Sequence, residues 1–266
     1  MASADRSPAS SISDVLDAMQ TRLDDMPPQR RSQAEFLGTY RRTTQAVAAA
    51  VEGAVFEDPA WVEAWDVAFA QLYLDALDAD LTGTGRVPRP WRLAFDAPAT
   101  TAPLVQVLLG INAHINNDLP QALLAVISDD DFAEPGVVDR RRRDHERIDG
   151  VLAGRVAAED RNLAAHSARS LLDRALRPAN RWSSQRFLRE ARRKVWHNTT
   201  ELQRARAAGP DQLAVRLAEL ELLSAAKVAD LLRPGQVLLR LAVTGFGVLL
   251  PPPAEPVGRV KPGDRG

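Results

Sequence analysis

The chain has 266 residues, of which 45% are hydrophobic, a formal net charge of −1 and no cysteine. This composition supplies enough apolar surface for one large core and is that of a folded chain. The missing cysteines exclude disulfides, thiolate zinc sites and cysteine nucleophiles, and they favour a cytoplasmic location. The balanced charge, without basic residues interleaved with aromatic ones, argues against a nucleic-acid partner.

Hydrophobic periodicity is helical along almost the whole chain, and the β-branched runs are too short to predict a sheet. We therefore predict an all-α protein, a single multi-helix bundle over residues 11–250. A flexible lead at 1–10 and a disordered tail at 251–266, rich in proline and glycine, flank it. The predicted helices cover about residues 11–25, 30–53, 59–81, 91–97, 103–127, 137–157, 159–176, 181–207, 210–232 and 235–249.

Neither end of the chain predicts membrane insertion. The first residues lack the basic and apolar regions of a secretory signal. The longest apolar run, VLLRLAVTGFGVLL at 237–250, is interrupted by Arg240 and two glycines. It is also shorter than the roughly 20 residues that span a bilayer, so we expect no transmembrane segment.

The helix predicted at 59–81 places an acid among bulky apolar neighbours. In the helix predicted at 59–81, Asp66 lies within WVEAWDVAFAQLYLDAL, and Tyr73 follows seven residues later on the same side. Asp66 either faces the core as a candidate catalytic residue or metal ligand, or faces solvent as an ordinary acid of an amphipathic helix. Tyr73 either offers its hydroxyl to a site or packs as an aromatic side chain.

The segment GINAHINNDLP, residues 110–120, inserts polar side chains into an otherwise apolar helix. Buried polar groups cost free energy unless each one finds a partner. His114 and Asp118 are four residues apart, so both emerge from one helix face, close enough to share a proton or a metal ion. Asn112 and Asn117 are the expected supporting residues. This segment is our first candidate for a site.

A proline follows the histidine and the aspartate within the same predicted helix. Pro120 lacks the N–H that would bond to the carbonyl of Asn116, which predicts a buried central helix with a kink. Two interpretations stay open. Either the asparagines satisfy backbone groups released by the kink and His114 pairs with Asp118 structurally, or the kink opens a binding site beside that pair.

Two basic segments offer further candidates. In RRRRDHERID, residues 140–149, His145 and Asp149 repeat the four-residue spacing, but charged pairs of this kind are common on exposed helices, and we expect a solvated face. Asp144 is the residue of this segment that we expect to point inward, as a fourth metal ligand beside His114, Asp118 and Asp66. In the helix at 181–207, Arg193 is expected to pair with a buried acid.

Three segments together resemble a known family. They are FEDPAWVEAWDVAFAQLYLDAL, VPRPWRLAFDA and LLGINAHINNDLPQAL, and the most specific element is G-x-N-A-H-I-x-x-D-L-P. Over about residues 36–205 the chain resembles a family of bacterial, largely actinobacterial helical proteins classed as a domain of unknown function. The resemblance implies an all-helical fold and implies no activity.

Two functions from different classes follow from these residues. The first is an enzyme in which His114, Asp118 and Asp66 lie inside the bundle and hydrolyse a phosphoester or a lipid-like substrate. A divalent metal can assist, by analogy with helical zinc-dependent phospholipases and nucleases, or the pair can act as general acid and base. The chain has only four histidines, fewer than a trinuclear zinc site of that type needs, so the metal-free version stays open beside the metal-assisted one. The second is a helical module that binds a small molecule or a partner without catalysis, with a structural polar cluster.

Overall fold

The structure, a computed structural model, describes residues 9–98, 100–101, 103–164 and 193–233. These residues form helices and contain no strand, which confirms the predicted all-α class. In chain order the helices are α1 (Ile12–Asp24), α2 (Arg31–Glu52), α3 (Pro59–Thr82), α4 (Arg89–Phe95), α5 (Pro103–Ala113), a π-helical turn (His114–Asp118), α6 (Leu119–Val126), α7 (Asp129–Ala133), α8 (Pro135–Ala164), α9 (193–208 in its described part) and α10 (Pro210–Leu232).

Local capping explains where the first and third helices begin. Ser11 accepts a hydrogen bond from the backbone of Asp14, whose carboxylate bonds back to the Ser11 backbone in a capping box. Asp58 accepts from the Trp61 backbone at the start of α3, where Pro59 occupies the first turn. A left-handed residue, Gly83 with φ of 68°, ends that helix.

The third helix is central to the packing. One apolar cluster joins α3 to α1, α2, α4, α5 and α10, and a second joins it to α1, α2, α6, α8 and α9. α3 therefore buries side chains on more than one face, among them Trp61, Trp65, Tyr73 and Leu77. This accounts for the run of large apolar residues around it in the sequence.

Three helix boundaries differ from the prediction. The helix expected at 103–127 is divided into α5, the π turn and α6. The acidic segment after Ser128 forms the short helix α7 because the Ser128 hydroxyl caps it by accepting from the Asp131 backbone. α8 continues through the break expected near residue 158. The helix predicted at 235–249, most of the one at 159–176, the start of the one at 181–207, and the two chain ends at 1–8 and 234–266 lie outside the described residues.

Candidate functional site

The polar motif forms a π turn between two α-helices. The five residues His114–Asp118 are π-helical, and the turn ends in a bond from the Leu119 N–H to the carbonyl of His114. Pro120, which lacks an N–H, follows directly and cannot donate to the carbonyl of Asn116. A π turn inserts one residue into a helix and reorients the side chains around it, and such turns are frequent at functional sites.

Asp118 accepts three hydrogen bonds at this turn. Its Oδ2 accepts from Trp91 Nε1 at 2.7 Å and lies 2.9 Å from His114 Nδ1, and its Oδ1 accepts from Asn117 Nδ2 at 2.7 Å. The side chain is almost fully buried. Since a carboxylate only accepts, the proton of the neutral imidazole lies on Nδ1, and Nε2 carries the lone pair.

Aromatic rings enclose the His114 imidazole. It stacks on Phe69 with ring centres 3.5 Å apart, and the Tyr40 ring centre lies 4.6 Å away. Burial lowers the pKa of His114, although the bond to Asp118 opposes this shift. The imidazole is therefore neutral at neutral pH, and its Nε2 is buried without a hydrogen-bond partner among the described residues.

Further buried polar atoms without a partner surround this ring. Asp66 is buried, as one of the two interpretations of the sequence required, and its Oδ2 has no hydrogen-bond partner in the described residues. Burial, with a smaller contribution from Glu63, raises the pKa of Asp66 to about 7. The Tyr73 hydroxyl is also buried, without a hydrogen-bond partner in the part of the chain that the structure describes, and burial raises its pKa. Tyr73 packs against Trp91 and lies beside His114. Asp66 is connected to the imidazole less directly, because its charge acts on Tyr40, whose ring centre lies 4.6 Å from that of His114.

Two residues of α2 belong to the same group, and the sequence analysis missed them. Burial raises the pKa of Tyr40 well above its usual value, and the charges of Asp66 and Asp118 raise it further, so both carboxylates are near this phenol. Thr44 lies close enough to Tyr40 to oppose that shift slightly, yet neither hydroxyl makes a hydrogen bond of good geometry. Their four-residue spacing on one helix face was the available signal.

A pocket of about 320 Å³ lies on the other side of the π turn, between α3, the loop before α4, and α10. Asn117 and Asp118 form its inner wall. The exposed residue Arg86 and the exposed positions on α10 open it to solvent. The described residues that line it are Leu72, Arg86, Pro88, Asn117, Asp118, Gln121, Ala214, Leu217, Ala218 and Glu221. Asp118 therefore contacts the pocket, whereas His114 lies behind it and does not line it.

An ion pair fixes the outer wall of this pocket. The Arg86 side chain pairs with Glu221 of α10, and Glu221 also accepts a hydrogen bond from the Arg89 backbone at 2.8 Å. That second bond satisfies an N–H at the beginning of α4, which no carbonyl within the helix can reach. Glu221 thus holds α10 against the start of α4.

The amide side chains around the π turn satisfy backbone carbonyls. Asn112 Nδ2 donates to the Leu108 carbonyl at 2.9 Å, and Asn116 Nδ2 donates to the Asn112 carbonyl at 2.8 Å. Gln121 Nε2 donates to the Asn117 carbonyl at 2.7 Å. The Asn112 and Asn116 side chains thus bond to carbonyls one turn earlier in the helix, and neither acceptor is the Asn116 carbonyl that Pro120 leaves without its helical donor.

The Asp144 carboxylate binds the backbone just before α3 and is not part of the site around His114. It is fully buried, its Oδ1 accepts from the Glu57 backbone and its Oδ2 from the Asp58 backbone, both at 2.8 Å. Arg147 donates to the same carboxylate at 2.7 Å. The carboxylate therefore caps the segment that leads into α3. No three His, Asp or Glu side chains of the described residues are placed to hold a metal ion, so the predicted ligand set of His114, Asp118, Asp66 and Asp144 does not come together.

The expectation of a plain solvated face on α8 is wrong. His145 is buried, and its ring packs against Trp65 and Trp196. The neighbouring arginines pair with acids at the start of α3: Arg143 and Arg147 with Glu57, and Arg141 with Asp58. The sequence analysis missed Glu57 and Asp58, although both stand just before Pro59 in an acidic pair. The side chain of Asp149 lies outside the described part of the structure.

Arg193 is exposed at the first described position of α9, and its expected pairing with a buried acid stays a prediction. Among the described helices, none combines the length and the apolar character that a membrane crossing needs.

Comparison with known proteins identifies the chain at the level of a family. Searches of the curated proteins and of the solved structures found no match. A family model with the description "family of unknown function (DUF5995)" matches residues 12–234, a range that contains the π turn, the pocket and every described helix. The chain therefore belongs to this family of unknown function.

Proposed function

We propose that the protein binds a small molecule in the pocket whose inner wall is formed by Asn117 and Asp118. The observation that carries this proposal is a buried carboxylate at the wall of a solvent-accessible pocket, supplied by a π turn. The volume of about 320 Å³ falls within the range of ligand sites. Leu72 and Leu217 line the same pocket and offer apolar contacts, and a mixture of apolar and polar groups is usual for such sites.

Of the two functions expected from the sequence, binding has the stronger support. The imidazole of His114 lies behind the pocket wall, enclosed by aromatic rings, so a ligand in the pocket meets Asp118 first. His114 then supports Asp118 through the Nδ1 contact. The metal-assisted version of catalysis has no supporting ligand set among the described residues.

Acid–base catalysis is the second candidate, and it is favoured by a separate observation. His114 Nε2 and Asp66 Oδ2 are buried polar atoms without partners, and their pKa shifts run in opposite directions, which suits a neutral base and a protonated acid. A substrate would have to reach the aromatic core. Hydrolysis of a phosphoester or a lipid-like molecule by these groups stays a prediction, as do the cytoplasmic location and the absence of a nucleic-acid partner.

A fragment screen by ligand-observed NMR tests the binding proposal. Ala218→Trp places a large ring at the rim of the pocket, and Leu222→Trp, on the same helix at a position 55% exposed, is the matched control. Fragments should bind to the unmodified protein and to Leu222→Trp, and lose binding to Ala218→Trp. Equal binding by both variants, or no binding by the unmodified protein, would contradict the proposal.

A further inference from the structure

We propose that the pocket selects an organic cation, a primary ammonium group on a short apolar arm, with the charged group placed against Asp118. This inference rests on the proposed function, because it names the ligand class of the same pocket. It adds a requirement that the pocket alone does not impose, namely a positive charge.

The first argument is that no cation among the described residues compensates the charge of Asp118. Its three donors are the Trp91 indole, the Asn117 amide and the imidazole of His114, and burial holds that imidazole in its neutral form. The desolvation cost of a buried carboxylate is only partly offset when no cation lies close enough to attract it. The cation that lines the same pocket, Arg86, is already paired with Glu221 and is mostly exposed.

The second argument concerns the hydrogen-bonding capacity that remains. An ionised carboxylate offers about four lone-pair sites. Asp118 uses two on Oδ2 and one on Oδ1, so Oδ1 retains one acceptor site. An ammonium group donates three hydrogen bonds and accepts none, which matches a wall that has acceptors to offer.

The two amide side chains beside Asp118 also present acceptor oxygens. Asn117 donates its NH₂ group to Asp118, and Gln121 donates its NH₂ group to the Asn117 carbonyl. Since carboxylate and carbonyl oxygens accept only, these bonds fix which end of each amide is the donor. The oxygen of each amide can only accept, and both residues line the pocket.

The walls define the rest of the ligand. Leu72 of α3 and Leu217 of α10 line the pocket beside Pro88, so an apolar arm has surface to cover there. A volume of about 320 Å³ restricts that arm to a short chain or a single ring. An anionic ligand would meet Asp118 and Glu221 and is disfavoured by like charge.

Isothermal titration calorimetry with benzylamine, benzyl alcohol and benzoate tests the inference, because these probes share a ring and differ in charge. Benzylamine should bind at least tenfold more tightly than the alcohol, and benzoate should not bind. In Asp118→Asn that preference should fall to within about twofold. The matched control is Glu219→Gln, which removes a negative charge from the exposed side of α10 and should keep the preference.

Each outcome has a definite meaning. A preference for the amine that disappears in Asp118→Asn alone supports the inference. Two results overturn it: equal binding of amine and alcohol by the unmodified protein, or an amine preference that survives in folded Asp118→Asn. The first of these comparisons does not depend on the folding of any variant. If none of the three probes binds while neutral fragments do, the cation requirement fails and the pocket proposal stands. If no fragment binds either, both proposals fail.

Discussion

Gly110 of the polar motif occupies a position where only a glycine fits. A Cβ atom built there would lie 2.4 Å from Cδ2 of Phe36, with two further ring carbons within 2.8 Å. The Phe36 ring has little room to move, since it packs edge-on against Tyr73 and Trp91. Gly110→Ala therefore forces either the ring or the α2 and α5 backbones apart.

Two opposing contributions set the size of this effect. Alanine in a helix interior is more stable than glycine by about 0.5–1 kcal/mol. Overpacking of a dense core costs about 1–3 kcal/mol. The net result for Gly110→Ala should be a loss of about 1–2 kcal/mol in the free energy of unfolding. Gly38 of α2 is the control, because its Cβ would meet only the end of Arg42, at 3.6 Å. Gly38→Ala should gain about 0.5–1 kcal/mol.

Urea unfolding followed by far-ultraviolet circular dichroism measures both variants. The same chemical change in two helices should give opposite signs. If Gly110→Ala were as stable as the unmodified protein, or more stable, the close packing of α5 on α2 would be refuted.

Two further predictions concern buried carboxylates. Asp144→Ala leaves the Glu57 and Asp58 backbone N–H groups without their acceptor and should lower the free energy of unfolding by roughly 3 kcal/mol. The control is Glu146→Ala, at an exposed position of the same helix, which should leave the melting temperature nearly unchanged. Equal effects of the two substitutions would count against the cap. Burial raises the pKa of Asp66 from 3.8 to about 7, so between these pH values the folded protein holds a proton that the unfolded chain releases. The resulting stabilisation is complete below pH 3.8 and is lost as the pH rises to about 7. Asp66→Asn removes this loss, so the stability of the variant relative to the unmodified protein should increase between pH 4 and pH 7 and then level off. Urea titrations across that pH range measure the difference in the free energy of unfolding. A difference that stayed constant would speak against a buried Asp66.

Helix positions were predictable because local signals decide them. The caps and prolines around Ser11, Asp58 and Pro210 mark helix starts that depend on a few neighbouring residues. The predicted break near residue 158 was wrong because the charged and small residues there are compatible with a continuing helix.

The π turn could not be derived from periodicity. A proline four residues after Asn116 predicts a lost hydrogen bond, but either a simple kink or an inserted residue can accommodate that loss. The inserted residue also brings Asp118 to Trp91, a contact between distant parts of the chain that no spacing along one helix reveals.

The basic segment of α8 shows where charge patterns mislead. Four arginines in a row are typical of a solvated face, yet Arg141 and Arg143 pair with Asp58 and Glu57. These two acids precede α3 and are separated from the arginines by more than eighty residues. His145 is buried because Trp65 and Trp196 pack on it. Tertiary contacts of this kind override the local preference of a charged helix.

The protonation state of His114 tests the account of the π turn most directly. Long-range proton–nitrogen NMR correlation on protein labelled at its four histidines resolves the two ring nitrogens of each. With Asp118 accepting from Nδ1, His114 should be neutral at pH 7 and carry its proton on Nδ1, and Asp118→Asn should change that signal. A proton on Nε2, a charged ring at pH 7, or a signal indifferent to Asp118→Asn would contradict the arrangement of Asp118 between the imidazole and the pocket.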